Sequence, residues 1–220
     1  YNGVAIISKD KIGDTRYGFN GELNELQISE QLHSQKRILS GLINGIRIIN
    51  VYVPNGSSIN SEKFNYKVSW LATLYKYLVK QSKRGEPTCL LGDFNIALND
   101  NDIHDPDKFT GSIMASELER KMLREALGSR FLDSFRVFEK FSGHWSWWDY
   151  RNNSFELNKG WRIDHIYISN NLLSSLKSSV IERSQREYNQ PSDHAPVMIN
   201  LDFQENLVEF EDEDDDIFNL

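Results

Sequence analysis

Cysteine, proline and long apolar runs are all scarce in this sequence of 220 residues. Its one cysteine, Cys89, excludes an internal disulfide and a cysteine-based zinc cluster, and it favours a reducing compartment. No apolar run approaches the ~20 residues that a membrane-spanning helix needs. Only 5 prolines, with 39% hydrophobic and 12% aromatic residues, exclude collagen-like and wholly disordered chains. We therefore expect a globular protein that does not span a membrane.

Several sequence signatures of catalysis are also missing. The chain has no Gly-x-Ser-x-Gly elbow, no glycine-rich phosphate loop and no ligand spacing typical of zinc. The polar residues at the ends of its apolar segments are instead carboxylates, asparagines, histidines and tyrosines. Oxygen ligands of this kind suit Mg²⁺ or Mn²⁺, so the inventory favours metal-assisted phosphoester chemistry.

The net charge of −7 argues at first against a polyanionic partner. Eight of the 32 acids, however, lie from residue 205 onward without any Lys or Arg, which leaves 24 acids and 25 bases in residues 1–204. The body is therefore close to neutral and can present a basic face to phosphates. Residues 204–220 are expected to form a disordered acidic tail, because blocks of like charge resist compaction.

Apolar patterning predicts one domain of mixed strands and helices over residues 1–203. Residues 1–8 are strand-like, and the predicted strands are 37–39, 46–53, 88–91, 162–168 and 195–201. Apolar residues three or four apart predict helices at 63–83 and 116–126. The polar stretch 99–112, with Pro106 and Gly111, is predicted to be an irregular loop.

One apolar segment ends abruptly in Gly-Asp-x-Asn at residues 92–95. Ligand sites tend to lie at such strand ends, and an extended chain would point Asp93 and Asn95 the same way. The alternative is a Gly-Asp turn in which the carboxylate only accepts backbone amides. By itself the segment leaves both interpretations open.

A polar pair, Asp193 and His194, comes just before the last predicted strand. A histidine beside a carboxylate can transfer protons, bind a phosphate oxygen or ligate a metal, although it can also simply complete a loop. Asp164 interrupts another apolar strand and needs a partner if it faces inward, which makes His194 the natural candidate. His165 would point to the opposite face, so we expect a structural role for it.

Two further segments have both an ordinary and a functional interpretation. Tyr52 lies in a predicted strand and Asn55 in the Pro-Asn-Gly turn that follows it, and both could donate to a phosphate. The cluster Ser-Trp-Trp-Asp-Tyr-Arg at 146–151, with Arg151 and the nearby Trp161, is typical of a core but could also stack on sugars or bases.

Six segments, taken in order, resemble the exonuclease III family of apurinic/apyrimidinic endonucleases, part of the endonuclease/exonuclease/phosphatase superfamily. They are Tyr-Asn-Gly-Val-Ala-Ile at 1–6, Asn-Val-Tyr-Val-Pro-Asn-Gly at 50–56, Leu-Gly-Asp-Phe-Asn-Ile at 91–96, Ser-Trp-Trp-Asp-Tyr-Arg at 146–151, Trp-Arg-Ile-Asp at 161–164 and Ser-Asp-His-Ala-Pro-Val at 192–197. The resemblance implies a four-layer α/β sandwich of two mixed sheets flanked by helices. It also implies Mg²⁺-dependent (or Mn²⁺-dependent) cleavage of duplex DNA on the 5′ side of abasic sites, with 3′-to-5′ exonuclease and 3′-phosphatase action on blocked 3′ ends.

The resemblance also implies roles for the catalytic residues. Asp93 would orient or deprotonate the attacking water, and Asn95 would hold both Asp93 and the scissile phosphate. His194, oriented by Asp164, would bind the phosphate oxygen on which charge builds. Tyr52 and Asn55 match positions that contact phosphate.

The remaining matched positions concern the metal and the substrate sugar. Asp193 matches a metal-site carboxylate, and we expect Asp93 and Asn95 to complete this part of the ligand set. The matches to an apolar pocket for a flipped abasic sugar, with a neighbouring substrate contact, are Trp147, Trp161, Ile163 and Arg151.

The resemblance departs from the family pattern at its beginning. Family members start with a strand that carries an Asn, followed by a Gln-Glu pair whose Glu is the principal metal ligand, and both would precede Tyr1. We therefore expect an N-terminally truncated chain with impaired metal binding. Two alternatives stay open: another superfamily phosphodiesterase or phosphatase, and a DNA-binding fragment without catalysis. The expected protein is a monomer in a bacterial-type cytoplasm, associated with the nucleoid.

Overall fold

The computed structural model describes residues 2–19, 23, 32 and 35–204. Eight strands and four α-helices occur in this part of the chain. In order they are β1 (Gly13–Tyr17), β2 (Ile38–Ile43), β3 (Ile46–Tyr52), α1 (Glu62–Ser82), β4 (Thr88–Asp93), α2 (Pro106–Phe109), α3 (Glu117–Leu127), β5 (Phe131–Asp133), α4 (Ser134–Phe138), β6 (Asp164–Ser169), β7 (Leu176–Ile181) and β8 (Val197–Leu201). None of these helices is long and apolar enough to cross a membrane.

The strands form a mixed six-stranded sheet of order β1-β2-β3-β4-β6-β5 and a two-stranded sheet of β7 and β8. Strands β3 and β4 are parallel neighbours, whereas β6 runs antiparallel to β4. The end of β3, the end of β4 and the start of β6 therefore meet at one edge of the sheet. This edge carries the site described below.

The alternation of side chains along the strands explains why two layers pack on the large sheet. In β3, Ile49 and Val51 enter the core that faces helix α1, while Ile46 and Ile48 face the cluster shared with the second sheet. Successive residues of a strand point to opposite faces, so one apolar strand serves both layers. Helices α1 and α3 pack together, and α4 packs against β6 and β7.

The two long helices begin where the sequence places capping residues. Ser61 accepts a hydrogen bond from the backbone N–H of Phe64 at the start of α1. Ser116 and Glu119 form a reciprocal capping box at the start of α3, and Gly128 ends that helix with φ 55°. These contacts satisfy backbone groups that a helix end leaves open, which explains why both helices lie within one or two residues of their predicted bounds.

The predicted mixed α/β fold with two sheets and flanking helices is confirmed, with two local corrections. Residues 2–8 form no strand, although the Asn50 side chain donates to the carbonyl of Ala5 at 2.9 Å. The predicted loop 99–112 contains helix α2 and a short 3₁₀ turn, Asp100–Asp102. Pro106 begins α2, where the missing proline N–H costs nothing. Tyr1 and the acidic residues of the predicted tail from 205 onward lie outside the described residues.

Candidate active site

Three polar side chains lie in one row across the sheet edge. Tyr52 pairs with Asp93 in the parallel ladder, and Asp93 pairs with Asp164 in the antiparallel one. His194 reaches the same edge from the loop before β8, where its backbone forms an isolated bridge with Trp147. Strand order and this loop thus bring together residues that are far apart in the sequence.

Asp93, Asn95 and Asn55 form a chain of hydrogen bonds. The side-chain amide of Asn95 donates to Asp93 Oδ2 at 2.9 Å and to the carbonyl of Val53 at 3.1 Å. The amide of Asn55 donates in turn to Asn95 Oδ1 at 2.9 Å. Asn95 is buried, so its two amide donors have a fixed direction, and the orientation of the Asp93 carboxylate is fixed with them.

The backbone at this point is a turn, not the extended chain that would point Asp93 and Asn95 the same way. Strand β4 ends at Asp93, and Asn95 has φ 49°. The backbone N–H of Asn95 donates to Asp93 Oδ1 at 2.8 Å. The predicted Gly-Asp turn is therefore present, and it is compatible with a site, because the turn itself aims Asn95 back at Asp93.

Asp164 and His194 form the second pair. The two oxygens of Asp164 lie 3.1 and 2.8 Å from His194 Nδ1. Asp164 itself is placed by Ser146, whose hydroxyl accepts from the backbone N–H of both Ile163 and Asp164 at 3.0 Å. Because Nδ1 is engaged, the other ring nitrogen of His194 is left for a ligand.

The protonation states of this cluster depend on one another. Burial is the main reason that the pKa of Asp93 rises to about 7, and the nearby Asp164 carboxylate raises it further. Burial opposes the charge of His194, but the hydrogen bond and negative charge of Asp164 outweigh it and raise the pKa of His194 to about 9. At neutral pH the His194 imidazole is therefore cationic, and the Asp93 carboxyl group is close to the midpoint of its titration.

The residues predicted to contact the sugar divide into buried and accessible ones. Trp161 and Ile163 are buried in one apolar cluster, with the half-buried Trp147 packed against it. Trp147 Nε1 donates to Asp193 Oδ2 at 2.9 Å, which ties the predicted metal carboxylate to this cluster. Arg151 is exposed and pairs with Asp149 at 2.7 Å. The predicted sugar-pocket role of these residues stays a prediction.

Sequence reasoning missed two side chains next to the site. Arg37 stacks over the Tyr52 ring at 4.7 Å and, with Tyr52 and Asn55, lines a cleft of about 490 Å³. Arg162, two residues before Asp164, is buried and pairs with Asp102 and Asp133 at 2.8 and 2.6 Å. Both were counted as parts of strands. Each is the first residue of its predicted strand and precedes the observed one, and a charge beside an apolar strand was the one available signal.

His165 lies in the core, as expected for a structural residue. Its Nε2 is 2.9 Å from the carbonyl oxygen of Ile96, and its ring stacks on Tyr167. Burial lowers the pKa of His165, so the neutral ring is favoured there.

The donor set for a metal is incomplete in the described part of the chain. No group of three or more His, Cys, Asp or Glu side chains that could hold an ion occurs among residues 2–19, 23, 32 and 35–204. Asp193 Oδ2 accepts from Trp147, and Asn95 Oδ1 accepts from Asn55, so both oxygens already have a protein donor. These residues alone do not form a closed metal site.

The chain that carries this site is similar to known proteins. Residues 1–194 match the sequence profile of the endonuclease/exonuclease/phosphatase family. The chain belongs to this family. Among curated relatives, the exodeoxyribonuclease of Bacillus subtilis is 31% identical over 205 residues, which are 91% of this chain and 75% of that protein. Exodeoxyribonuclease III of Haemophilus influenzae is 32% identical and covers 89% of this chain and 74% of its own length.

Solved structures of the family agree. A 3′-5′ exonuclease (NExo) of Neisseria meningitidis superposes with a TM-score of 0.81 at 35% identity, over 89% of this chain and 73% of that one. An AP endonuclease of Archaeoglobus fulgidus gives a TM-score of 0.78 at 31% identity with the same coverage. The resemblance to the exonuclease III branch of the family is therefore confirmed, and with it the fold class.

Proposed function

We propose that this chain is the catalytic part of a DNA-repair nuclease that hydrolyses phosphodiester bonds in duplex DNA. The proposal rests on one observation above all: Asp93, Asn95 and the Asp164–His194 pair meet at one sheet edge in a member of the exonuclease III branch. Relatives named exodeoxyribonuclease, AP endonuclease and 3′ phosphatase support the substrate class. Abasic sites and blocked 3′ ends in duplex DNA are the proposed targets.

The proposed reaction breaks one kind of bond in all three activities. Water adds to phosphorus and gives up a proton to Asp93, and the bond from phosphorus to the 3′ oxygen breaks. The departing 3′ oxygen takes up a proton from solvent and becomes a 3′ hydroxyl, and the phosphate is left on the other side of the break. Endonuclease, exonuclease and 3′-phosphatase action then differ only in what is attached to the phosphate.

The protein groups have separate roles in this scheme. Asn95 holds the Asp93 carboxylate so that it faces the water, and it donates no proton itself. The cationic His194, kept in place by Asp164, stabilises the negative charge that builds on a phosphate oxygen. Asn55 and Tyr52 line the adjoining cleft and would contact the same or the next phosphate.

Arg37 supports the assignment of that cleft to the DNA strand. Its guanidinium donates to Gln35, to Asn2 and to the carbonyl of Tyr52 at 2.8 to 3.2 Å. No carboxylate of the described residues pairs with it, so its charge is available to a substrate anion. A phosphate next to the scissile one is the chemistry that fits.

We further propose that Mg²⁺ or Mn²⁺ is required and that Asp193, Asp93 and Asn95 contribute to its site. The ion would supply charge neutralisation at the phosphate. Because the described residues form no complete site, this part rests on family membership and on the oxygen donors alone. The related proposals of a monomeric, cytoplasmic protein with one catalytic domain over 1–203 are testable by light scattering, localisation and limited proteolysis.

The test is cleavage of a labelled duplex that carries a single abasic analogue. We expect nicking on its 5′ side, lost in EDTA and restored by Mg²⁺. Asp93→Asn and His194→Ala should each lower turnover by at least about 100-fold without a loss of folding. The matched controls, Asp202→Asn and His144→Ala, remove an exposed carboxylate and an exposed histidine and should leave turnover unchanged. Near-normal turnover in both site variants would reject the proposal.

A further inference from the structure

Helix α1 places a lysine inside the protein. Lys67 lies on the apolar face of the helix, three residues after Phe64 and three before Trp70, and its side chain is fully buried. Its ammonium group lies 2.5 Å from Glu119 Oε1, and the Glu119 side chain is also fully buried. Removing two charges from water is costly, so an apolar pair at these positions would be the simpler solution for a core.

The other contacts of Lys67 lead directly to the site. Its ammonium group donates to the backbone carbonyl of Asn95 at 2.8 Å and to that of Asn55 at 3.1 Å. These are the two asparagines whose side chains meet at 2.9 Å and lead on to Asp93. The Lys67 ammonium group thus binds both the turn after β3 and the turn after β4.

Glu119 anchors the lysine in turn. Its carboxylate accepts from the backbone N–H groups of Met114 and Ser116 and from the Ser116 hydroxyl, at 3.1, 3.1 and 2.6 Å. These donors belong to the capped start of α3. The contacts therefore run without a break from α3 through the ion pair to Asn95, which has a left-handed backbone at φ 49°. An unfavourable conformation of this kind persists where the surrounding contacts hold it.

We propose that Lys67, held by Glu119, is a positioning residue of the active site, which fixes the two asparagine turns and thereby the direction of the Asp93 carboxylate. The proposal rests on the proposed nuclease function. Neither side chain touches the substrate, so the effect is expected on turnover more than on substrate affinity. It also predicts a measurable change in Asn95 that does not depend on catalysis.

The decisive variants separate positioning from stability. Lys67→Met alone leaves Glu119 buried and unpaired, and this variant can fail to fold. The double variant Lys67→Met/Glu119→Leu replaces the pair by apolar groups, which a core usually tolerates. We expect its melting temperature to rise well above that of Lys67→Met but to stay below that of the wild type, because Met114 and Ser116 lose the Glu119 acceptor. We expect kcat to stay at least about 30-fold lower than in the wild type, with KM within about threefold. A purely structural pair predicts that kcat recovers together with the melting temperature.

A mutant cycle with Asn95→Ala tests the route. If Lys67 acts through Asn95, the double apolar variant should lower kcat by less than about threefold in the Asn95→Ala background. Arg47→Met is the matched control, because Arg47 is a fully buried cation that pairs with Glu86 at the opposite end of β3. It should lower the melting temperature and leave kcat unchanged. Independent, multiplicative effects of the Lys67 and Asn95 changes would overturn the proposal.

A readout without activity keeps this test apart from that of the proposed function. In nuclear magnetic resonance spectra, the side-chain amide protons of Asn95 should exchange at least about tenfold faster in the double apolar variant than in the wild type or in Arg47→Met. Unchanged exchange would overturn the positioning role even if the protein cleaves DNA. Faster exchange in the double apolar variant, together with a wild-type protein that cleaves no DNA, would support the positioning role while rejecting the proposed function.

Discussion

Replacing Asp164 by asparagine should change the protonation of His194 more than any other property of the protein. The substitution keeps the size of the side chain and removes the charge that faces His194 Nδ1 at 2.8 Å. The ordinary pKa of a histidine is 6.5, and that of His194 is about 9. The difference corresponds to about 3 kcal/mol of preference for the charged ring. Without Asp164, we expect the pKa of His194 to fall by roughly two units or more.

The same shift predicts how stability depends on pH. Because the pKa of His194 is raised in the folded state, its contribution is fully present below about 6.5 and is lost as the pH rises through about 9. The free energy of unfolding of Asp164→Asn should therefore lie furthest below that of the wild type near pH 6, and this difference should shrink as the pH rises from about 6.5 to about 9. Comparing the two proteins at each pH removes the titration of groups that they share.

The assay is a titration of the His194 ring by nuclear magnetic resonance in EDTA, together with urea unfolding at several pH values. Asp149→Asn is the control, since it removes a carboxylate that pairs with the exposed Arg151. It should leave the pKa of His194 within about half a unit of the wild type. A His194 pKa that is the same in the wild type and in Asp164→Asn would refute the reasoning, because the pair would then not stabilise the imidazolium.

Three further predictions follow from single contacts. Gly92→Ala should lower the free energy of unfolding by more than about 3 kcal/mol, because φ is +134° and the added Cβ would lie 1.9 Å from a β3 carbonyl oxygen. Its control is Gly85→Ala, at an open site with φ +70°, for which urea unfolding should show a loss of only about 1–2 kcal/mol. The Asp102 pKa is lowered, because Arg162 outweighs the burial penalty. Asp102→Asn should therefore lower the free energy of unfolding by about 3–5 kcal/mol at pH 7, and by less as the pH falls below 3.8. A loss of stability that does not depend on pH would contradict this prediction. In Arg37→Met, the slope of log DNA affinity against log salt should shrink by about 0.9, and an unchanged slope would exclude a phosphate contact.

Regular local patterns were enough to predict the central elements. Strand β3 and strand β4 are short apolar runs bounded by turn residues, and the helices α1 and α3 repeat apolar residues every three or four positions. Each of these signals lies within one element and reflects how that element buries its own surface. Strand β7 was missed because Lys177 and two serines interrupt it, and β1 because it is largely exposed. Their pairing is decided by neighbours outside the segment.

The candidate site shows the same division. Residue type and position at strand ends singled out Asp93, Asn95, Asp164 and His194 from the sequence, since polar groups at the end of a buried strand need a partner or a ligand. The sequence did not predict the left-handed turn at Asn95, which reverses the expected extended geometry. That conformation is held by hydrogen bonds to Val53 and Asp93 and by a buried lysine from α1.

By itself, then, the sequence determined the types of the central elements, the branch of the family and the chemical inventory of the site, because these depend on residue identity and short spacing. The tertiary structure decided which of those residues act together. Strand order sets Asp93 opposite Asp164, and a loop 30 residues further on supplies His194. In the sequence Lys67 is one more polar residue of a helix, but in the tertiary structure it contacts both asparagine turns. Such contacts join distant segments, so no local pattern encodes them.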